Sequence, residues 1–207
     1  MNLVIIAKDL SWKIVYETAK SMNKWQSIKV FYENNVDNYD SINISLTDFN
    51  SIEKDNIFLV IASYNPFIRD EEFNKWKGKG YKFATILDSD NFVFKDTKIG
   101  EGSIICKGVI IYPDSIIGEN VLLMPYSSIS HDFIVDKNSI LMEKVTTGGR
   151  GKIGKNTYIN SMAVIKENII IGSNVFIDSG AVVLKNVNDN EKVRGNPARI
   201  IKPISKN

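Results

Sequence analysis

A small open α/β sheet followed by a parallel β-helix is the fold this sequence predicts. Three observations carry it. Strand-like and helix-like stretches alternate up to about residue 90. From Ile99 to Val183 every sixth residue is then apolar, with the single exception of Thr147. Glycines follow that apolar position at 100, 118, 154 and 172, in steps of 18 or 36. A period of six fits neither an amphipathic helix nor an isolated strand. It marks a chain that turns a corner every six residues and stacks on itself.

In the first part, Asn2 to Ala7 is an apolar run of the length of a buried parallel strand. Ser11 is placed to cap the next segment, where Ile14, Val15, Thr18, Ala19 and Met22 recur at helical spacing. Ile28 to Tyr32 and Ile57 to Ala62 read as further strands. Pro66 suits the first turn of a helix ending near Gly78 and Gly80, and Tyr81 to Leu87 supplies another strand. Such a sheet binds ligands beyond the carboxyl ends of its strands.

In the second part, a mostly small residue lies two positions before each apolar one, among them Ser103, Ser115, Ser127, Ser139, Gly151, Ala163 and Ala181; Phe133 and Ile169 are the bulky exceptions. A narrow coil has room for one large side chain per face plus a small neighbour. Three faces make an 18-residue coil, and the glycines are expected to mark corners that need an unusual φ. About five coils fit between Ile99 and Asn188, roughly 24 Å of strands at about 4.8 Å per layer. Both ends would be open edges that need covers. The α/β part is placed to cover the first, and Glu191 to Pro203, leaving the repeat, the last. The chain thus divides into 1–90, 91–188 and a cap at 189–207. The period leaves the hand of winding open.

A net charge of +2 on 207 residues gives no electrostatic case for nucleic acid or an anionic membrane. Leu3 to Ala7 is too short for a signal peptide or a membrane span. The one cysteine, Cys106, excludes an internal disulfide and reads as a repeat residue. The expectation is a cytoplasmic protein.

His131 is the only histidine. It falls two residues past Ile129, on a corner where a polar side chain can point outward, and Asp132 follows, able to orient the ring if the turn brings it round. Gly149 lies 18 residues later, hence one layer above in the same column. That pairing suits acyl transfer: a base takes the proton of an attacking amine or hydroxyl while a backbone N–H meets the charge developing on a thioester oxygen. A glycine admits close approach, although Gly148-Gly149 also reads as a relaxed corner. Ser161 and Ser179 share a column, as do Ala163 and Ala181, a track of small residues on which a pantetheine arm could lie. Lys185, Lys192, Arg194 and Arg199 could meet phosphates, or form a solvated basic end.

Ile129-Ser-His-Asp132, the step from Gly149 to Gly154, Arg194-Gly-Asn-Pro-Ala-Arg199 and the strand and helix over Phe58 to Gly80 together resemble the NeuD and PglD type of sugar acetyltransferase, within the hexapeptide-repeat acyltransferases. The resemblance implies a small Rossmann-like domain joined to a left-handed β-helix. It implies His131 as general base, Asp132 as its partner, and the Gly149 amide at acetyl-CoA near its thioester. Coenzyme A would lie between subunits of a homotrimer, along Ser161, Ser179, Gly180 and Lys185, with Arg194 and Pro197 of the terminal segment nearby. The family's first domain carries a glycine-rich loop that binds a nucleotide-linked sugar. Here the loop reads Ala7-Lys8-Asp9-Leu10-Ser11-Trp12, without the glycines that allow backbone approach to a pyrophosphate. Lys8 could substitute by charge, with Asp9 beside it. Ser63-Tyr-Asn-Pro66 and Arg69 still resemble the acceptor-side loop. Asn65 and Arg69 are candidate sugar or phosphate contacts, or else a loop cap and a surface helix charge.

The leading expectation is an enzyme that transfers acetyl from acetyl-CoA to a bacterial surface-glycan sugar of the lipopolysaccharide or capsule kind. The favoured reaction is N-acetylation of a nucleotide-linked amino-deoxy sugar, by direct attack in a ternary complex. O-acetylation of sialic acid or another glycan unit is the alternative. Two other classes stand beside it. A zinc enzyme resembling the β-helical carbonic anhydrases needs three imidazoles, which one histidine per chain supplies only at a trimer axis, and no metal is expected. A non-catalytic β-helix scaffold would have no reason to bind coenzyme A.

Overall fold

The computed structural model describes residues 1–32, 43–45, 49 and 53–203. β1 (Asn2–Ala7), β2 (Ser27–Tyr32), β3 (Ile57–Ala62) and β4 (Lys82–Phe83) form a parallel sheet in the order β2-β1-β3-β4. α1 (Trp12–Ser21) buries Val15, Thr18 and Ala19 of the expected stripe, leaves Ile14 and Met22 half-buried, and adds Trp12. Ser11 does sit at its start, but its side chain makes no cap; the Ser11 N–H donates to Asp9 Oδ1 at 2.9 Å. α2 (Pro66–Gly78) is capped by Asn65, whose Oδ1 accepts from the Phe67 and Ile68 N–H groups at 2.9 and 3.3 Å. Because β1 is flanked by β2 and β3, the loops after β1 and β3 diverge at the switch point where open sheets bind ligands.

The expected strand from Tyr81 to Leu87 is two elements. Lys82–Phe83 closes the first sheet, while Ile86–Leu87 pairs with Ile104–Ile105 as the first rung of the β-helix. The six-residue series therefore extends back from Ile99 through Val93 to Leu87, whose side chains pack against the helix core.

The chain then visits three flat faces in turn, winding as a left-handed β-helix. Face one carries the rungs beginning at Ile86, Ile104, Leu122, Ile140, Tyr158 and Phe176. Face two carries those at Phe92, Ile110, Ser128, Thr146, Val164 and Val182, and face three those at Lys98, Ile116, Ile134, Lys152 and Ile170. The inward residues Ile105, Ile111, Ile117, Leu123, Ile129 and their successors form one continuous core. Bulky Phe133 fits because Gly151 lies one rung above it. A Cβ on Gly151 would stand 2.5 Å from Phe133 Cε2 and 2.6 Å from the Ile169 carbonyl oxygen.

Gly100, Gly118, Gly154 and Gly172 do not carry the unusual φ expected of them. They are needed for closeness: a Cβ on Gly100 would meet the Glu119 backbone nitrogen at 2.6 Å. The left-handed φ falls two residues later, at Gly102, Asn120, Asn156 and Asn174, and at matching corners such as Asp132, Arg150 and Met162.

The α/β domain packs along the outside of face one rather than over the first end. Leu3, Ile5, Trp12 and Val15 share a core with the outward-facing Ile86, Ile104, Leu122 and Ile140. Nor does the terminal segment simply leave the repeat: Glu191–Arg194 adds a parallel rung beside Phe176–Ile177, and Arg199–Pro203 folds back on it antiparallel.

Candidate active site

The corner between faces two and three stacks Pro113, His131, Gly149 and Glu167 in one column, as shown by the Arg150 N–H donating to the His131 carbonyl and Asn168 N–H to that of Gly149. His131 points outward, its side chain 45% exposed. Asp132 has φ +54, and this left-handed corner swings its carboxylate back so that Oδ2 lies 2.7 Å from His131 Nδ1. With a carboxylate as its neighbour, Nδ1 carries the proton and Nε2 holds the lone pair. Nε2 is the ring atom turned to Gly149: a Cβ there would lie 2.6 Å from it and 2.7 Å from Cε1. The Gly149 N–H donates to no group among the described residues, and two rungs below the same place is held by Pro113, which has no N–H. Base, carboxylate and bare amide are thus brought together.

The expected coenzyme track is divided. Ser161, Ser179 and Gly180 lie on the corner between faces one and two, a different edge from His131. Ser161 Oγ donates to Glu143 Oε2 at 2.9 Å, and a Cβ on Gly180, which has φ +66, would meet nothing within 4 Å. Ala163 and Ala181 are fully buried and belong to the core, not to a surface track. Lys185 lies where the last turn is shortened, Val187 pairing with Ile171, so the 18-residue register that stacks His131 and Gly149 does not extend to it. With Arg199, Leu184 and Ala198 it lines a hollow of about 300 Å³ beneath the terminal hairpin. Arg194 is held by Asp178 at 2.8 Å, and Pro197 is exposed at the hairpin turn.

On the acceptor side the structure gives three expected contacts other work. Arg69 is neither a ligand contact nor a surface charge. It is fully buried, donating from Nη1 to the Ile61 carbonyl at 2.6 Å and from Nε and Nη2 to the Asn120 carbonyl at 3.0 and 2.9 Å. Asn120 Nδ2 answers by donating to the Arg69 carbonyl, so the pair clamps α2 to the β-helix. Burial pushes the guanidinium down to about 9. Asp9 accepts from the Ser11 and Tyr64 N–H groups and from Ser63 Oγ, tying the two switch-point loops together. Lys8 forms an ion pair with the buried Glu72 at 3.0 Å, a carboxylate it shares with Lys75 at 3.3 Å. Asn65 caps α2 and also lines a cleft of about 360 Å³ between the loop after β3 and the upper rungs of face one. The cleft residues Tyr64, Tyr158, Asn160, Asn174 and Phe176 were not singled out from the sequence. Only knowledge of which face the α/β domain covers would have found them.

Residues 151–185 match the family model described as Bacterial transferase hexapeptide (six repeats). No curated protein matches the sequence significantly. Among solved structures, the acetyltransferase domain of PglB from Neisseria gonorrhoeae in complex with acetyl coenzyme A aligns with a TM-score of 0.91 at 22% identity, over 97% of this chain and 98% of that one. A mutant of perosamine N-acetyltransferase from Caulobacter crescentus in complex with CoA and GDP-perosamine gives 0.90 at 18% identity, over 98% and 97%. WeeI from Acinetobacter baumannii gives 0.69 at 22%, over 97% and 100%. The likeness spans both parts of the chain and establishes the fold: a small α/β domain joined to a hexapeptide-repeat β-helix, as in these proteins. No helix among the described residues is long and apolar enough to cross a membrane.

Proposed function

We propose that this protein transfers the acetyl group of acetyl-CoA to the amino group of a nucleotide-linked amino-deoxy sugar. One observation carries the reading: His131 Nε2, with Asp132 behind it at Nδ1, faces the unobstructed Gly149 of the next rung. An acceptor amine bound there gives its proton to Nε2 as its nitrogen bonds to the acetyl carbon. The developing oxyanion is met by a backbone N–H such as that of Gly149, and the C–S bond then breaks to release coenzyme A, whose thiolate takes the proton. Asp132 holds the ring in the right tautomer and offsets the imidazolium charge. The fold is also that of proteins seen with acetyl coenzyme A, or with CoA and GDP-perosamine. Use of acetyl-CoA suits the cytoplasm, and surface-glycan assembly is the natural destination of such a sugar.

The same reading makes the working unit a homotrimer. Within one chain face two separates the His131 edge from the Ser161–Ser179 edge, and the acceptor-side cleft lies on face one. A neighbouring copy presenting its His131 edge to that cleft would complete the site, with coenzyme A running between chains toward Lys185 and Arg199. The test is His131→Ala. It should fold and assemble as the unaltered protein does, and lose acetyl transfer to nucleotide-linked amino sugars by about 10²–10⁴-fold in a thiol-release assay. Retained turnover removes the assigned base.

A further inference from the structure

The cleft on face one has a chemistry of its own. It is lined by Asn65, Asn156, Asn160 and Asn174 around the Tyr158–Phe176 pair, whose rings stack at 5.5 Å and 5°. Its lining residues are uncharged, while the Lys192 ammonium lies over the Phe176 ring, 4.4 Å from its centroid. The cleft also interrupts a regular pattern. Along this corner each asparagine donates to the next one up, Asn120 to Asn138 at 2.9 Å and Asn138 to Asn156 at 3.0 Å. At Asn156 the ladder breaks. Its Nδ2 turns to Asp70 at 3.4 Å, while Asn174 donates onward to Asn190, leaving Asn174 Oδ1 without a donor among the described residues. Asn65 and Asn160 each use Oδ1 on backbone N–H groups, and their NH₂ groups have no acceptor there. Burial and the Glu143 carboxylate push the Tyr64 phenol up to about 12, and the same causes raise Tyr158, so both stay uncharged.

We propose that this cleft is the subsite for a pyranose ring of the acceptor, packed against Tyr158 and Phe176 with its hydroxyls on the amides of Asn65, Asn160 and Asn174. A hydroxyl both donates and accepts, and the cleft offers unused donors and an unused acceptor beside an apolar floor. A phosphate, by contrast, needs converging N–H groups or several cations, and Lys192 is the one ammonium seen against the cleft's rings among the described residues. The N–H groups at the nearby switch point, those of Ser11 and Tyr64, are already taken by the Asp9 carboxylate. The ring would therefore be read on face one, and any phosphate of the acceptor held outside both places. The proposal rests on the sugar-acetyltransferase reading for the identity of the ring, but its binding step needs no acetyl-CoA.

The test uses the full-length protein without acetyl-CoA. Saturation-transfer NMR is recorded with methyl α-D-glucopyranoside, with uridine, and with inorganic pyrophosphate as competitor. Asn65→Asp keeps the α2 cap but replaces the donor NH₂ by an acceptor, and Phe176→Ala removes half of the floor. The glucoside is expected to bind, to survive pyrophosphate, and to weaken at least tenfold in both variants. Binding of uridine alone, displacement by pyrophosphate, or undiminished glucoside binding in Asn65→Asp overturns the proposal. Intact glucoside binding in an unaltered protein that transfers no acetyl group to nucleotide-linked amino sugars refutes the enzymatic reading and not the cleft.

Discussion

Two adjacent glycines allow the site to be separated from the scaffold. A methyl added at Gly149 would stand 2.6 Å from His131 Nε2, against about 3.5 Å for an ordinary contact, so the ring must retreat by roughly 0.9 Å. It can, because it is a partly exposed side chain at a corner. Retreat breaks its 2.7 Å contact with Asp132, and the methyl fills the space where an acyl group would sit. Gly149→Ala should therefore cost less than about 1 kcal/mol of stability yet lower kcat/KM about 10²-fold, the size expected of a 1 Å misplacement. Gly148→Ala is the opposite case. Its methyl would press on the backbone of Glu167, with Cα at 2.7 Å, and backbone in a stacked coil cannot step aside. That variant should lose about 1–3 kcal/mol. Thermal melts and initial rates of thiol release on the two proteins make the comparison. A Gly149→Ala protein of unaltered kcat/KM, or one as destabilised as Gly148→Ala, refutes the reasoning.

Gly151→Ala, which would drive a methyl against Phe133 and the Ile169 carbonyl, should lower stability by about 1–3 kcal/mol in urea titration. Arg69→Ala should cost about 2–5 kcal/mol, because the Ile61 and Asn120 carbonyls are left buried without donors; the same titration checks it. Asp178 titrates below the usual carboxylate range, chiefly through its hydrogen bond from Arg194 and then the Ser179 N–H. Its contribution is thus complete above about pH 4 and lost as pH falls through the depressed value. Since Arg194 is mostly exposed, less than about 1 kcal/mol is involved. Melting temperatures of the protein and of Asp178→Asn should differ slightly at pH 6 and converge in acid.

What could be read from the sequence is what the period controls. A spacing of 18 was enough to stack His131 under Gly149, since register in a coil leaves no freedom once the apolar column is inside. The start of the coil was concealed because Ile86–Leu87 reads equally well as the end of a strand in the first sheet. Arg69 looked like a helix charge, and its partner Asn120 lies 51 residues away on another domain. No local pattern could join them. The corner glycines were recognised for the wrong reason: asparagine and aspartate tolerate the left-handed φ, whereas only glycine tolerates a neighbouring coil at 2.6 Å.

The one polar residue in the apolar series has a role that the period could not express. Thr147 is 3% exposed and points into the coil, yet its Oγ1 accepts the Ser130 N–H at 3.0 Å. At the matching corners this N–H meets a backbone carbonyl instead, as Tyr112 does with Ile129 and Gly148 with Ile165. The ladder between these rungs correspondingly pairs Ser128 with Thr146 but not Ile129 with Thr147. The backbone is rerouted by a side chain at the residue directly before His131. Thr147→Val, nearly the same shape without the hydroxyl, leaves Ser130 to find the carbonyl its counterparts use, and the corner carrying the imidazole must shift. Stability should change by no more than about 1 kcal/mol, since a methyl suits the apolar column while one hydrogen bond is exchanged for another. The rate should fall about tenfold or more with little change in KM for acetyl-CoA, and Thr147→Ser should restore it. Equal rates in Thr147→Val and the unaltered protein would show that the hydroxyl merely satisfies a donor and that the position of His131 is indifferent to it.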